Sequence, residues 1–156
     1  LRVNPMDGQV YTVGLSGWQG PANGSDGCLQ RVRYSGGDQP ILVAARAHAL
    51  GVELEFSAPI DAELAGSLQS YEVRRWNYQW THDYGSAHYS LEHPAREGED
   101  VVTVLSAHAD PTAHKVLVEL ERMRPCDQLL LRFELRGVDR EPVAQEVYLT
   151  VQKVPK

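Results

Sequence analysis

The sequence has few cysteines, few basic residues and no long apolar segment, and each shortage argues against a class of protein. Its two cysteines, Cys28 and Cys126, form neither a Cys-x-x-Cys pair nor a Cys/His ligand set, which argues against a structural zinc or thioredoxin-type site. Lys and Arg total 15 against 21 Asp and Glu, a net charge of −6, so nucleic acid is an unfavourable partner. No apolar run approaches the roughly 20 residues of a membrane-spanning helix, so no membrane span is predicted.

The remaining composition is that of a folded globular chain with one core. It has 156 residues, of which 42% are hydrophobic and 23% are charged. The chain begins at Leu1 without a charged-then-apolar leader, so a signal peptide has been removed, lies upstream or never existed. Because the chain begins without Met, we expect a fragment of a longer protein. Cys28 and Cys126 are interpreted as buried free thiols, which could pair only if their Cα atoms lie within about 7 Å.

Apolar and polar residues alternate with a period of two along most of the chain, which predicts β-strands. Between Gly51 and Phe56, for example, three apolar residues alternate with Glu53 and Glu55, so one strand face should meet a core and the other water. The same alternation recurs in residues 116–120, 129–135 and 147–151. We predict an all-β fold, specifically a two-layer β-sandwich.

Two further candidate strands are apolar on both faces. They are residues 41–43 and 101–105, and we expect both near the middle of a sheet. Residues 61–66 alone look helical, over about one turn, and Asp61 is expected to accept backbone N–H bonds there.

The first 37 residues differ from the rest in their residue pattern. Residues 10–15 and 29–34 are predicted to form a β-hairpin around a loop rich in glycine, residues 18–27, which includes Asp26. The Gly-Gly-Asp-Gln-Pro sequence of residues 36–40 then predicts a boundary. We therefore expect an N-terminal hairpin, 1–37, and a sandwich, 38–156. Because a lone hairpin is marginally stable in water, the first part should pack on the second or on another domain.

Two sets of segments resemble bacterial proteins. Residues 51–61, Gly-Val-Glu-Leu-Glu-Phe-Ser-Ala-Pro-Ile-Asp, and residues 70–73, Ser-Tyr-Glu-Val, are similar to the opening of S-layer-type Ig-like domains. Residues 11–19, 26–34 and 76–80, the last reading Trp-Asn-Tyr-Gln-Trp, resemble the C-terminal region of large secreted proteins of planctomycetes. In those proteins a sugar-dehydrogenase-like β-propeller and often a c-type haem domain occur in one polypeptide.

The resemblance implies an architecture and a location. Residues 1–37 would be the last strands of a propeller blade, and residues 38–156 an Ig-like or fibronectin-III-like β-sandwich. The protein would be secreted or periplasmic, with the propeller or other domains of the same polypeptide as partners. The chain has no Cys-x-x-Cys-His haem site and no match to the propeller's cofactor pocket, so no cofactor is expected.

Residues 71–93 are the most unusual segment, with two of the three tryptophans and four of the seven tyrosines. Trp76 has the opposite strand parity to Tyr71 and Val73, which indicates either a bulge near Arg74 and Arg75 or aromatic side chains on an outward face. Outward rings would form a platform for carbohydrate or protein. Its candidate residues are Trp76, Tyr78, Trp80, Tyr84 and Tyr89. Alternatively, the rings pack between the sandwich and the hairpin, near Trp18.

Three histidines of the same segment suggest a possible metal site. His82, His88 and His93, with Asp83 and Glu92 adjacent, could surround a divalent cation, although ordinary solvated side chains explain the same pattern.

No catalytic motif accompanies these side chains. The sequence holds no identifiable carboxylate pair or nucleophile–base set, and Gly14-x-x-Gly17-x-x-Gly20 is not followed by a helix that could bind phosphate. We therefore predict no catalytic residues and a non-catalytic structural or interaction module.

Overall fold

A computed structural model of the chain describes residues 1–15, 27–33, 37, 39–82 and 84–156. The chain divides into two compact units, Leu1–Gly37 and Asp38–Lys156. Several residues considered above fall outside the described ranges: Gly17, Trp18, Gly20, Asp26 and Asp83.

The first unit is a three-stranded antiparallel sheet. Its strands are β1 (Arg2–Val3), β2 (Val10–Leu15) and β3 (Gly27–Val32), in the order β1-β2-β3. The β2 and β3 strands pair from Val10 opposite Val32 to Leu15 opposite Gly27. The two predicted hairpin strands are therefore present, and the short strand β1 was not foreseen.

The second unit consists of two four-stranded antiparallel sheets with a short α-helix and a 3₁₀-helix, the latter Leu68–Ser70. One sheet has the order β4-β5-β9-β8 and the other β11-β10-β6-β7. Their strands and the helix are β4 (Leu42–Ala47), β5 (Gly51–Phe56), α1 (Ala62–Ala65), β6 (Tyr71–Trp76), β7 (Asp100–Val101), β8 (Val104–Ala109), β9 (Lys115–Leu120), β10 (Cys126–Arg136) and β11 (Pro142–Val151). The predicted all-β, sandwich-like class is confirmed.

The core lies between the two sheets of the second unit. It is built by the apolar residues of the four alternating segments, because their period of two turns every second side chain inward. Phe56 of β5 and Phe133 of β10 meet edge to face, with ring centroids 5.7 Å apart. Leu54 and Leu131 are fully buried beside them. The four strands predicted from alternation are therefore confirmed.

The helix α1 begins where the sequence predicts. The side chain of Asp61 accepts hydrogen bonds from the backbone N–H groups of Glu63 and Leu64, at 3.0 and 3.1 Å. These bonds satisfy donors that an α-helix leaves free at its first turn. The expected role of Asp61 is confirmed.

The two segments that are apolar on both faces do not lie in the middle of a sheet, so that prediction is wrong. The β4 strand is an edge strand, and its Val43 is exposed. Residues 101–105 are not one strand: β7 ends at the exposed Val101, Val102 is buried, and β8 begins at Val104 in the other sheet. The chain changes sheets here, which places apolar side chains on both faces without a central position.

The two cysteines have different environments. Both are free, but Cys28 is exposed and only Cys126 is buried, so the prediction of two buried thiols is wrong for Cys28. Burial raises the pKa of the Cys126 thiol.

Among the described residues, none of the helices has the length and apolar character that crossing a bilayer requires.

Candidate functional site

The candidate residues lie on the connection between β6 and β7, residues 77–99, which we call the aromatic loop. Its two arms are joined where Asn77 and Tyr89 exchange backbone hydrogen bonds of 2.8 Å. Asp127 of β10 fixes the first arm: its side chain accepts from the Tyr78 N–H at 2.8 Å, and its own N–H donates to Asn77 Oδ1 at 2.9 Å. The loop is therefore held at its root by a strand that lies 50 residues later in the chain.

Trp76 lies on the outer face of its sheet. Over residues 71–76 and 128–133, all of them described, β6 and β10 pair without a register shift, from Tyr71 opposite Phe133 to Trp76 opposite Gln128. The bulge predicted near Arg74 and Arg75 is therefore wrong, and the alternative of an outward aromatic side chain is correct for Trp76.

The Trp76 ring is nevertheless covered. It is only 3% exposed, because the aromatic loop places the His88 ring flat on it, with centroids 4.3 Å apart and planes 17° apart. Tyr148 of β11 meets its edge at 6.5 Å. Trp76 cannot present a face to a ligand, so its place in the predicted platform is wrong. Its indole N–H finds no acceptor among the described residues.

His88 is held by charged side chains as well as by ring stacking. Its Nδ1 lies 2.7 Å from Glu99 Oε1, and Arg74 Nη1 lies 3.5 Å from the other oxygen of Glu99. The Tyr78 ring meets the His88 ring edge to face at 5.7 Å. His88 therefore anchors the returning arm of the aromatic loop to the sheet.

Asp100 anchors the end of the aromatic loop. Its carboxylate accepts from Ser90 Oγ at 2.5 Å and from the backbone N–H groups of Leu91 and Glu92 at 2.6 and 3.1 Å. Burial raises the pKa of Asp100, but these hydrogen bonds and the charge of Arg75 outweigh that effect, so the pKa lies below its usual value. The ionised carboxylate is the form that holds this turn.

Arg75 joins the aromatic loop to the connection between β9 and β10. Its inward guanidinium is almost completely buried, and it donates to Glu92 Oε1 at 2.9 Å and to the Arg122 carbonyl at 2.5 Å. Arg124 donates to the same Glu92 oxygen at 2.7 Å. Sequence reasoning missed this role, although a charged residue with the inward parity of Tyr71 and Val73 was the available signal.

The tip of the aromatic loop, residues 79–82 and 84–86, projects two rings into solvent. Trp80 and Tyr84 are fully exposed, at 102% and 109%. The tip is closed by its own polar groups: the Gln79 N–H donates to Ser86 Oγ at 3.0 Å, and the Gln79 side-chain amide donates to the Pro94 carbonyl at 3.0 Å. Unlike Trp76, these two rings are available for contact.

The other predicted platform residues have intermediate positions. Tyr78 is partly exposed beside His88. Tyr89 is half-buried, and its backbone bridges both Asn77 and Glu97. The platform predicted as five rings is therefore two exposed rings, Trp80 and Tyr84, with Tyr78 at their base.

The structure does not bring the three predicted metal ligands together in the part of the chain that it describes. No three His, Cys, Asp or Glu side chains in that part are placed to hold one ion. His88 lies on Trp76 with Glu99, whereas His82 is exposed on the tip and His93 is exposed beyond Ser90. The loop fold separates the three imidazoles.

Comparison with known proteins finds no matching family model, no matching curated protein and no matching solved structure. The function is therefore argued from the geometry of the chain itself.

Proposed function

We propose that this chain is a non-catalytic, Ig-like structural and interaction module of a secreted or periplasmic multidomain bacterial protein, in contact with a propeller or other domains of the same polypeptide. The observation that carries the proposal is how the outer-face charges are arranged. Arg132 binds Glu72 at 2.9 Å and Glu146 at 2.5 Å across three strands. On the other sheet, Arg46 pairs with Glu55. Carboxylates that are paired with arginines in this way are poorly placed to act on a substrate.

The strand order supports the Ig-like part of the proposal. If the strands from β4 to β11 are lettered A, B, C, C′, D, E, F and G, one sheet has the order A-B-E-D and the other G-F-C-C′, which is the arrangement of an Ig-like sandwich. Tyr71, at the start of β6, donates from its buried hydroxyl to the Ala65 carbonyl six residues upstream, at 2.6 Å, and fixes the corner before that strand.

Turnover measurements test the non-catalytic part. The full chain is incubated with chromogenic esterase, phosphatase and glycosidase substrates and with redox dyes, beside a heat-denatured sample. We expect the two samples to give the same background rates. Turnover that is abolished by denaturation would overturn the proposal.

A second candidate function is recognition of an external ligand, carbohydrate or protein, at the tip of the aromatic loop. The observation in its favour is the full exposure of Trp80 and Tyr84 on a loop that is otherwise anchored to the sheet. Exposed rings of this kind supply contact area with few rotatable bonds to immobilise. If the rings serve recognition, substitution of either by alanine should weaken binding and leave the melting temperature within about 2 °C of that of the wild type.

A further inference from the structure

The tip segment is rich in aromatic residues and has no cationic Lys or Arg. From Asn77 to Leu91 the sequence has one acidic residue, Asp83, and neither Lys nor Arg, in a chain that is 23% charged. Nucleic acids and anionic lipid surfaces are bound through clustered cations, which this segment lacks. Binding hot spots for proteins are enriched in Arg as well as Trp and Tyr, and this stretch has no Arg.

The polar side chains of the tip are those that exchange hydrogen bonds with hydroxyl groups. Gln79 and Ser86 already donate hydrogen bonds inside the loop, to the carbonyls of Pro94 and Ala87. The side-chain oxygen of Gln79 and the imidazole of His82 are exposed and can bond to a hydroxyl group. A ligand with many hydroxyls and no charge matches this set.

We infer that the tip binds a neutral oligosaccharide of pyranose units, with Trp80 and Tyr84 as stacking platforms; the inference rests on the second candidate function above. A pyranose whose hydroxyl groups are equatorial presents flat faces of C–H groups. Stacking such a face on an indole or phenol ring removes apolar surface of both from water, while the hydroxyl groups around the sugar rim stay available for hydrogen bonds.

The anchoring of the aromatic loop reduces the entropy cost of binding. The tip is closed by the bond from Gln79 to Ser86, and its root is fixed by the bond from Tyr78 to Asp127 and by the stacking of His88 on Trp76. A surface that is ordered before binding loses less conformational freedom when the ligand arrives. The backbone that carries the two rings is therefore ordered before a ligand binds.

The test is isothermal titration of the full chain with cellohexaose, xylohexaose and chitohexaose, and with a heparin hexasaccharide as a charged comparison. We expect saturable binding of at least one neutral oligosaccharide. Trp80→Ala and Tyr84→Ala should each weaken it about ten-fold or more, which corresponds to about 1.4 kcal/mol. Trp80→Phe should retain most of the affinity, because it keeps a stacking ring.

Val138→Ala is the matched control. Val138 is exposed in the turn between β10 and β11, beyond the end of the sheet that is opposite Trp76. This variant should bind as the wild type does. Absence of binding to all three neutral oligosaccharides, binding of the heparin fragment alone, or binding that is unchanged in Trp80→Ala would each overturn the inference.

Hydroxyl-radical footprinting of Trp80 distinguishes a wrong choice of ligand from failure of the proposed functions. The measurement is made on the multidomain polypeptide proposed above, with its neighbouring domains. Strong reaction of Trp80 there, without oligosaccharide binding, would overturn only the choice of carbohydrate. Protection of Trp80 without added ligand would overturn recognition of an external ligand, and would support the tip as a contact between domains.

Discussion

Two tryptophan-to-alanine substitutions, four residues apart, should differ in their effect on stability. Trp76→Ala removes a ring that is covered by His88 and Tyr148, whereas Trp80→Ala removes a ring that touches solvent on all sides. Burying an aromatic side chain removes about 150–250 Å² from water, which at roughly 25 cal/mol per Å² corresponds to about 4–6 kcal/mol. Because Trp76 also buries an indole N–H without an acceptor among the described residues, its removal relieves about 1–3 kcal/mol.

The net expectation is a loss of about 3 kcal/mol in the free energy of unfolding for Trp76→Ala, in line with the usual range for Trp→Ala in a core. For Trp80→Ala we expect a change within about 0.5 kcal/mol. Urea denaturation followed by far-ultraviolet circular dichroism measures both. With a slope of about 1–3 kcal/mol per molar urea, the midpoint should fall by about 1–3 M for Trp76→Ala and stay in place for Trp80→Ala.

A second measurement reports on the loop directly. The His88 ring protons lie over the face of the Trp76 ring, so their NMR signals should be displaced upfield and should lose that displacement in Trp76→Ala. Trp80→Ala should leave those signals unchanged. If both variants lowered the midpoint equally, or if Trp80→Ala moved the His88 signals, the division between a covered root and a free tip would be refuted.

Three further substitutions test the sandwich and the base of the aromatic loop. Gly51→Ala should cost about 3 kcal/mol or prevent folding, because its Cβ would lie 2.0 Å from the Val118 carbonyl oxygen, whereas Gly66→Ala, whose Cβ meets nothing closer than 3.5 Å, should change stability by less than about 1 kcal/mol in the same urea assay. Equal stability of the two variants would contradict the close approach. Tyr71→Phe should cost about 1–2 kcal/mol by thermal unfolding, since it leaves a buried carbonyl without its donor; an unchanged melting temperature would show that this bond is unimportant. Asp100→Asn should cost about 1–3 kcal/mol at pH 7 and progressively less as the pH falls below the ordinary pKa of an aspartate. The pKa of Asp100 is lowered by folding, so its carboxylate stabilises the fold above its ordinary pKa near 3.9 and loses that effect as the pH falls through the folded value; a cost that stayed constant with pH would contradict this role.

The sandwich could be predicted from local pattern, because the residues of each strand carry the signal themselves. Val52, Leu54 and Phe56 alternate with glutamates in the sequence and all three are buried in the structure. The position of a strand within its sheet carries no such local signal. Val101 and Val102 are adjacent and identical, yet the first is exposed at an edge and the second is buried where the chain changes sheets. Only the pairing with distant strands decides between them.

The candidate site, too, depends on contacts between distant residues that the local sequence pattern does not indicate. Composition locates the aromatic segment, and parity gives the outer face of the sheet as one of two alternatives for Trp76; the pairing of β6 with β10 decides between them. Parity cannot show that a ring twelve residues later returns to cover it. His88 covers Trp76 because Glu99 holds His88 and Asp127 holds the opposite arm of the loop. The spacing of the aromatic residues in the sequence indicates neither contact.

The anchors of the aromatic loop also explain why its tip can carry exposed rings without weakening the fold. The contacts that fix the loop are made by its two arms, through Tyr78 on one and His88 and Ser90 on the other, with partners on β10, β6 and β7 respectively. The rings of Trp80 and Tyr84 lie beyond those contacts and bury nothing of the core. Side chains at the tip can therefore be exchanged at little cost in stability, while the arms keep their backbone in place. A surface whose exposed side chains do not stabilise the fold is suited to recognition. Those side chains can change to fit a ligand without affecting the sandwich that supports them.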